Sequence, residues 1–223
     1  MRDWTRVLVN HHDDSLRRFP DDRLLVLFDV DDTFIDVRLA VASLLHAYDT
    51  AHGSAHFRRL TPAMLDPFGR GIESVLEQFD VPAGEQPRVL AWYQRHRCSG
   101  DVARVAHAPY RGLLALAAWL HGQPRTAVGI NSARPEFLRQ DTLRCLNALA
   151  ADSALHFADE LAWFTPQGWR DDVGASKLAA IGQAERRGER VIAMIDSNLD
   201  VLAALAECDY GDDRLLVPSA DLL

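Results

Sequence analysis

The chain has 223 residues, of which 48% are hydrophobic and 25% charged, the composition of a globular protein large enough for one well-cored domain or a domain with an insertion. A formal net charge of -8 argues against a nucleic-acid binder held by phosphate contacts. No apolar stretch approaches the roughly 20 residues that span a bilayer, since Leu113 to Leu120 stops at His121, and Met1 to Asp22 lacks the apolar core of a signal peptide.

Cys98, Cys145 and Cys208 are too few and too scattered for a disulfide framework or a zinc site, so a reducing cytoplasm is the expected location. Of the 24 basic residues, only Lys177 is lysine. A chain that uses Arg almost everywhere marks, by its one exception, a place where a compact ammonium is wanted.

In chain order, residues 1–22 read as a polar leader with a short helix around Trp4 to Val9, and His11-His12-Asp13-Asp14 as a solvated turn rather than a metal site. Leu24 to Asp29 is an apolar run of strand length, predicted to be buried on both faces. Val37, Leu39, Ala40, Val41, Leu44, Leu45 and Tyr48 then recur at helical spacing and stop at His52-Gly53. Further helices are predicted over Gly71 to Phe79 and Pro87 to Arg97. Nothing between 37 and 107 reads as a strand, and that segment holds 8 Arg against 7 Asp and Glu, so the remainder carries a net charge of -9. After Gly112 comes a helix to His121, a strand over Thr126 to Asn131, a helix from near Pro135 through Leu146, and a weak strand in Leu161 to Phe164. A helix over Ser176 to Arg187, a strand over Val191 to Ile195 and a helix through Leu205 complete the pattern. This alternation predicts an α/β protein, a Rossmann-like parallel sheet with helices on both faces. It is built from residues 1–36 and 108–223, with 37–107 as a small helical insertion.

The first strand ends in Asp29-Val30-Asp31-Asp32-Thr33. Asp29 and Asp31 point the same way while strand geometry lasts, and two carboxylates that close call for a cation or a shared proton. The other predicted strands end at Ser132 and at Asp196, with Lys177 at the start of the helix leading into the latter. All would gather at the carboxyl edge of the sheet, where open α/β folds bind ligands. Each has a plainer reading: Ser132 and Asp196 as helix N-caps, Lys177 as a surface residue, and Asn131 in place of Ser132 if the register is off by one.

These motifs, in this order, resemble those of the haloacid-dehalogenase-like superfamily over about residues 24 to 210. Asp29-Val30-Asp31-Asp32-Thr33 is similar to its first motif, Ser132 to the second, Lys177 to the third, and Asp196 with Asp200 to the fourth. The insertion at 37–107 falls where one branch of that superfamily carries a helical cap. Asp32 stands where Gly is frequent, and Ile195 precedes Asp196 where many members have Gly or another acid.

The resemblance implies a phosphatase acting on a small phosphorylated metabolite. Asp29 would be the nucleophile, while Asp31 first protonates the leaving oxygen and then activates water. Mg²⁺ would be held by Asp29, Asp196 and the backbone carbonyl of Asp31. Ser132 and neighbouring amides would hold a phosphate oxygen at a helix start. Lys177 would neutralise the phosphoryl group, steadied by Asp200, with Thr33 a structural hydroxyl at the turn.

The chemistry suits such a set. Phosphate-monoester hydrolysis is accelerated by up to ~10²¹, or roughly 29 kcal/mol, of which general acid catalysis supplies only about 10²–10⁴. The rest must come from positioning, charge stabilisation and a covalent aspartyl-phosphate that divides the reaction. A mutase would share every motif. A receiver-type signalling module also gathers aspartates, a hydroxyl and a Lys on a parallel sheet, but its Lys follows the acidic cluster, whereas Lys177 precedes Asp196. In the insertion, Arg58, Arg59, Arg70, Arg95, Arg97, Trp92 and Tyr93 are candidate substrate contacts. The sequence carries no indication of oligomeric state.

Overall fold

The computed structural model describes residues 3–66, 72–97, 99, 108–166, 172–208 and 213–222. The expectations for Arg70, Gly71, Cys98 and His107 fall outside them. The described chain runs α1 (Trp4–Arg18), β1 (Arg23–Phe28), β2 (Ile35–Asp36), α2 (Arg38–His52), α3 (Ile72–Gln78), α4 (Gln86–His96), β3 (Ala108–Pro109) and α5 (Arg111–His121). It continues through β4 (Thr126–Pro135), α6 (Arg139–Leu149), β5 (Ala162–Thr165), α7 (Val173–Arg186), β6 (Glu189–Asp196), α8 (Leu199–Glu207) and β7 (Leu215–Pro218).

Five strands form one sheet in the order β5-β4-β1-β6-β7, every neighbouring pair parallel. β1 is central, and Leu24, Leu25, Val26, Leu27 and Phe28 are all fully buried, which is why the run reads as continuous apolar text instead of alternating. Each such side chain contributes roughly 1.5–3 kcal/mol of burial. From β1 the chain crosses to β4 and on to β5 on one side, then returns past them to β6 and β7 on the other. Right-handed crossovers place the helices of these two journeys on opposite faces. Accordingly α7 and α8 share a buried cluster with Leu25, Leu27, Ala127 and Met194, while α5 packs on β4. The reversal of direction at β1 makes the carboxyl ends of β1, β4 and β6 the topological switch point, the position where doubly wound sheets take ligands.

The chain divides into two compact units, Met1–Ile35 with Pro109–Leu223, and Asp36–Ala108. The second has its own core, in which Leu45, Tyr48, Phe57, Leu76 and Val89 are buried together. Gly53, at φ 65°, ends α2 in the left-handed conformation that Gly adopts without steric cost. The Asp49 carboxylate accepts from the Ser54 hydroxyl and from the His56 and Phe57 amides, which fixes the following loop. Of the candidate contacts here, Tyr93 is buried and Trp92 stacks on His96 at 3.8 Å, so both serve this unit's packing, whereas Arg58, Arg59 and Arg95 are exposed.

Three local expectations change. The leader is a four-turn helix capped by Asp3, and His11-His12-Asp13-Asp14 lies inside it. His12 is fully buried, with Nε2 2.9 Å from the Thr126 hydroxyl. Because that hydroxyl donates to the Pro124 carbonyl, it accepts from Nε2–H, while Nδ1 lies 3.4 Å from the Asp13 carboxylate. The second strand runs on to Pro135, so the next helix begins only after a 3-10 turn at Glu136–Leu138. β7 was not anticipated, being a four-residue edge strand without a periodic signal.

Among the described residues no helix is long and apolar enough to cross a membrane.

Candidate active site

Asp29 follows β1 directly, and its amide donates to the Ile195 carbonyl at 2.9 Å, extending the β1–β6 ladder by one residue. Beyond it the strand gives way to a tight loop. The Val30 carbonyl accepts from the amides of Thr33, Phe34 and Ile35, and Asp32 sits at φ 53°, in the region that Asp tolerates better than most residues. The alternation expected to align Asp29 with Asp31 therefore ends at Asp29, and the two carboxylates take different cations.

Lys177 comes from the second turn of α7, whose start is capped by the Asp172 side chain. Its ammonium donates to Asp29 Oδ1 at 2.8 Å and to Asp196 Oδ2. All three groups are shielded, at 2%, 6% and 1% exposure respectively. Burial pushes the Asp29 carboxyl up to about 7, with Lys177 pulling the other way. Burial alone would lower the Lys177 pKa, but Asp196 and Asp29 outweigh it and hold the ammonium above its ordinary value. The plainer reading of Lys177 as a surface residue is thus excluded. The steadying role expected of Asp200 falls instead to Asp196, because Asp200 lies exposed in the first turn of α8. Asp196 is not the cap of that helix either: Asn198 is, accepting from the Asp200 and Val201 amides, while Asp196 Oδ1 orients the Asn198 amide at 2.9 Å.

The Asp31 carboxylate meets Arg134. Nε lies 3.1 and 3.2 Å from its two oxygens, Nη2 lies 2.5 Å from Oδ1, and Nη1 turns to the Thr142 hydroxyl at 3.1 Å. The carbonyl of Asp31 accepts from the Ser197 hydroxyl at 3.0 Å, and that of Asp32 from Ser219 at 3.1 Å. Thr33 is fully buried, but its hydroxyl has no hydrogen-bond partner among the described residues. Its amide, bonded to Val30, holds the turn that had been expected of the hydroxyl.

Ser132 lies within β4, so it caps no helix, and the expected helix start beside it is absent. Its Oγ accepts from the Arg134 amide at 3.2 Å, which leaves the hydroxyl proton to donate. Asn131 is engaged elsewhere, donating to the Lys177 carbonyl at 3.0 Å, and so ties β4 to the helix that delivers the ammonium. Arg134, Ser197 and Ser219 were not singled out by sequence reasoning. Only Ser197, adjacent to Asp196, offered a positional signal.

For a cation, the donor set is oxygen-only: the carboxylates of Asp29 and Asp196, and the Asp31 carbonyl. Among the described residues no group of three or more His, Cys, Asp or Glu side chains converges as a metal site, because the third carboxylate, Asp31, is turned to Arg134. Among the described residues Asp29 and Asp196 share the one ammonium of Lys177, while Asp31 pairs with Arg134. Two carboxylates and a carbonyl are hard oxygen donors, and such a set fits Mg²⁺, which is bound through one or two carboxylates and keeps several waters.

No protein-family model and no curated protein matches the sequence. Among solved structures the chain is similar to a candidate phosphoglycolate phosphatase from Lactobacillus plantarum, with 14% identity, 90% of this chain and 97% of that chain covered, and a TM-score of 0.48. It is also similar to a candidate haloacid-dehalogenase-like hydrolase from Burkholderia xenovorans, with 15% identity, the same coverages and a TM-score of 0.45.

Proposed function

We propose that the protein is a Mg²⁺-dependent phosphatase of the haloacid-dehalogenase-like type, hydrolysing a small phosphorylated metabolite through an aspartyl-phosphate on Asp29. The observation that carries this reading is the bridge from Lys177 to both Asp29 and Asp196 at the carboxyl edge of a parallel sheet. It joins the first, third and fourth sequence motifs in one buried cluster.

Asp29 attacks phosphorus and the leaving oxygen departs with a proton from Asp31. Water then attacks the phosphoryl group and gives a proton back to Asp31, which restores the Asp29 carboxylate. Lys177 balances the charge of the nucleophile before attack and of the phosphoryl oxygens after it. The free proton of the Ser132 hydroxyl donates to a phosphoryl oxygen. Asp29, Asp196 and the Asp31 carbonyl would hold Mg²⁺, which when bound would neutralise charge on the phosphoryl group. The inserted helical unit serves as the cap domain.

The test is release of phosphate from an aryl phosphate in the presence of Mg²⁺, by the wild-type chain and by Asp29→Asn. Loss of turnover in the variant supports the assignment, and undiminished turnover refutes Asp29 as nucleophile. A panel of phosphorylated metabolites read by phosphate release then identifies the substrate.

A further inference from the structure

Resting on the phosphatase reading, we infer that Arg134 is a positioning residue for Asp31, presetting it as the proton acceptor of the second chemical step. Arg134 is itself buried, at 6% exposure. Its amide is tied to Ser132 Oγ, its carbonyl accepts from the Thr165 hydroxyl at 3.2 Å, and Nη1 is braced by Thr142. Thr142 is fully buried on α6. A guanidinium fixed at both backbone and tip leaves its Nε and Nη2 edge no freedom to follow a wandering carboxylate. Asp31 is instead held chiefly through Oδ1, which accepts from both Nε and Nη2, at 3.1 and 2.5 Å, while Oδ2 meets only Nε, at 3.2 Å, so the guanidinium edge fixes the plane of the carboxylate.

This has a directional consequence for the two half-reactions. Hydrogen bonds from Arg134 to the Asp31 oxygens favour its ionised form, so the group is held as the carboxylate, with Oδ2 the less occupied oxygen. That is the state required when water attacks the aspartyl-phosphate. The new P–O bond forms from the water oxygen, the bond from phosphorus to the Asp29 oxygen breaks with its electron pair returning to Asp29, and the water proton passes to Asp31. In the first half-reaction Asp31 has to carry a proton while facing the same donors. With an aryl leaving group that needs no protonation, the first step is independent of that arrangement.

Loosening the fork therefore slows dephosphorylation selectively. In Arg134→Lys, which keeps the charge and loses the fork, kcat for an aryl phosphate is expected to fall by ~10²-fold, within the range general acid–base catalysis supplies. KM falls in proportion, so kcat/KM stays close to wild type. The quenched protein accumulates a covalent phosphoryl adduct on Asp29, seen by intact mass, with a burst of aryl oxide in rapid mixing.

Thr142→Val removes only the brace and is expected to give the same signature at smaller amplitude, and it decides the matter if Arg134→Lys does not fold. A joint fall of kcat and kcat/KM, or variants without phosphoryl adduct and burst, overturns the role of Arg134 while wild-type turnover leaves the phosphatase reading standing. A wild-type chain that neither releases phosphate nor accepts a phosphoryl group overturns that reading itself.

Discussion

Replacing Lys177 by Met keeps the length of the stem and removes the charge that two buried carboxylates share. Nζ donates to both Asp29 and Asp196, and all three side chains are almost wholly shielded from solvent, so water and salt screen the loss little. Removing one partner of a buried ion pair costs about 3–5 kcal/mol. For a chain of this size that lowers Tm by about 6–20 °C, at roughly 2–4 °C per kcal/mol. The cost also depends on pH. The Asp29 carboxyl lies near 7 with Lys177 present, and removing the ammonium raises it further. A carboxyl raised above its unfolded value binds its proton more tightly in the folded state, so it destabilises progressively as pH climbs to the folded pKa. Below pH 7 Asp29 takes up a proton in both proteins, and the gap is the smaller one that comes from Asp196 alone. Above pH 7 only the variant still holds that proton, and the gap widens by about 1.4 kcal/mol per pH unit. Lys177 stays charged throughout this window. The assay is urea unfolding followed by circular dichroism, in buffer with a chelator, from pH 6 to 9. Asp29→Asn in the Lys177→Met background should recover part of the loss, a coupling of roughly 0.5–3 kcal/mol. A Lys177→Met protein within about 1 kcal/mol of wild type at all pH values, on the scale of exposed pairs, refutes the reasoning.

Other outcomes follow from single contacts. At Gly129, in the middle of β4, an added Cβ would lie 2.6 Å from the Leu161 carbonyl oxygen and 3.0 Å from Leu27. Gly129→Ala should therefore cost about 1–3 kcal/mol in chemical denaturation, as overpacking does. Burial holds the His12 pKa below 6.5, so the unfolded chain takes up that proton first on acidification. Its contribution to stability is lost as pH falls below 6.5 and intact above it, and the wild-type minus His12→Gln difference in urea midpoint should shrink over that window. Mg²⁺ at a hundredfold excess over its Kd should stabilise the protein by about 2.7 kcal/mol, and Asp196→Asn should abolish the shift in a thermal melt.

The residues that were legible in the sequence are those whose local text departs from background. Leu24 to Phe28 stood out because a strand buried on both faces cannot alternate, and Lys177 because it is the one lysine in a chain that otherwise uses Arg. The same habit hid Arg134, a buried Arg among many exposed ones, with nothing in its neighbours to say that its fork would reach a residue 103 positions away. His12 was misread for a related reason: a polar residue in a polar leader looks solvated until the helix is seen to press one face against β6 and β7. β7 is too short to carry a period, and Asp200 was placed by motif order, which fixes the strand it follows but not the direction of its side chain.

What motif order conveyed well was which strand ends converge, because parallel connectivity brings every strand's carboxyl end to one edge. What it conveyed poorly was how carboxylates and cations pair at that edge, since pairing depends on side-chain directions set by the loop after β1. That loop turns through Asp32 at φ 53°, and its consecutive carbonyls, at Asp31 and Asp32, are held by Ser197 and Ser219. These hydroxyls come from the ends of β6 and β7, the strands reached last. The first motif is therefore placed by the final segments of the same unit, and the separation of Asp29 onto Lys177 from Asp31 onto Arg134 exists only once the whole sheet has formed.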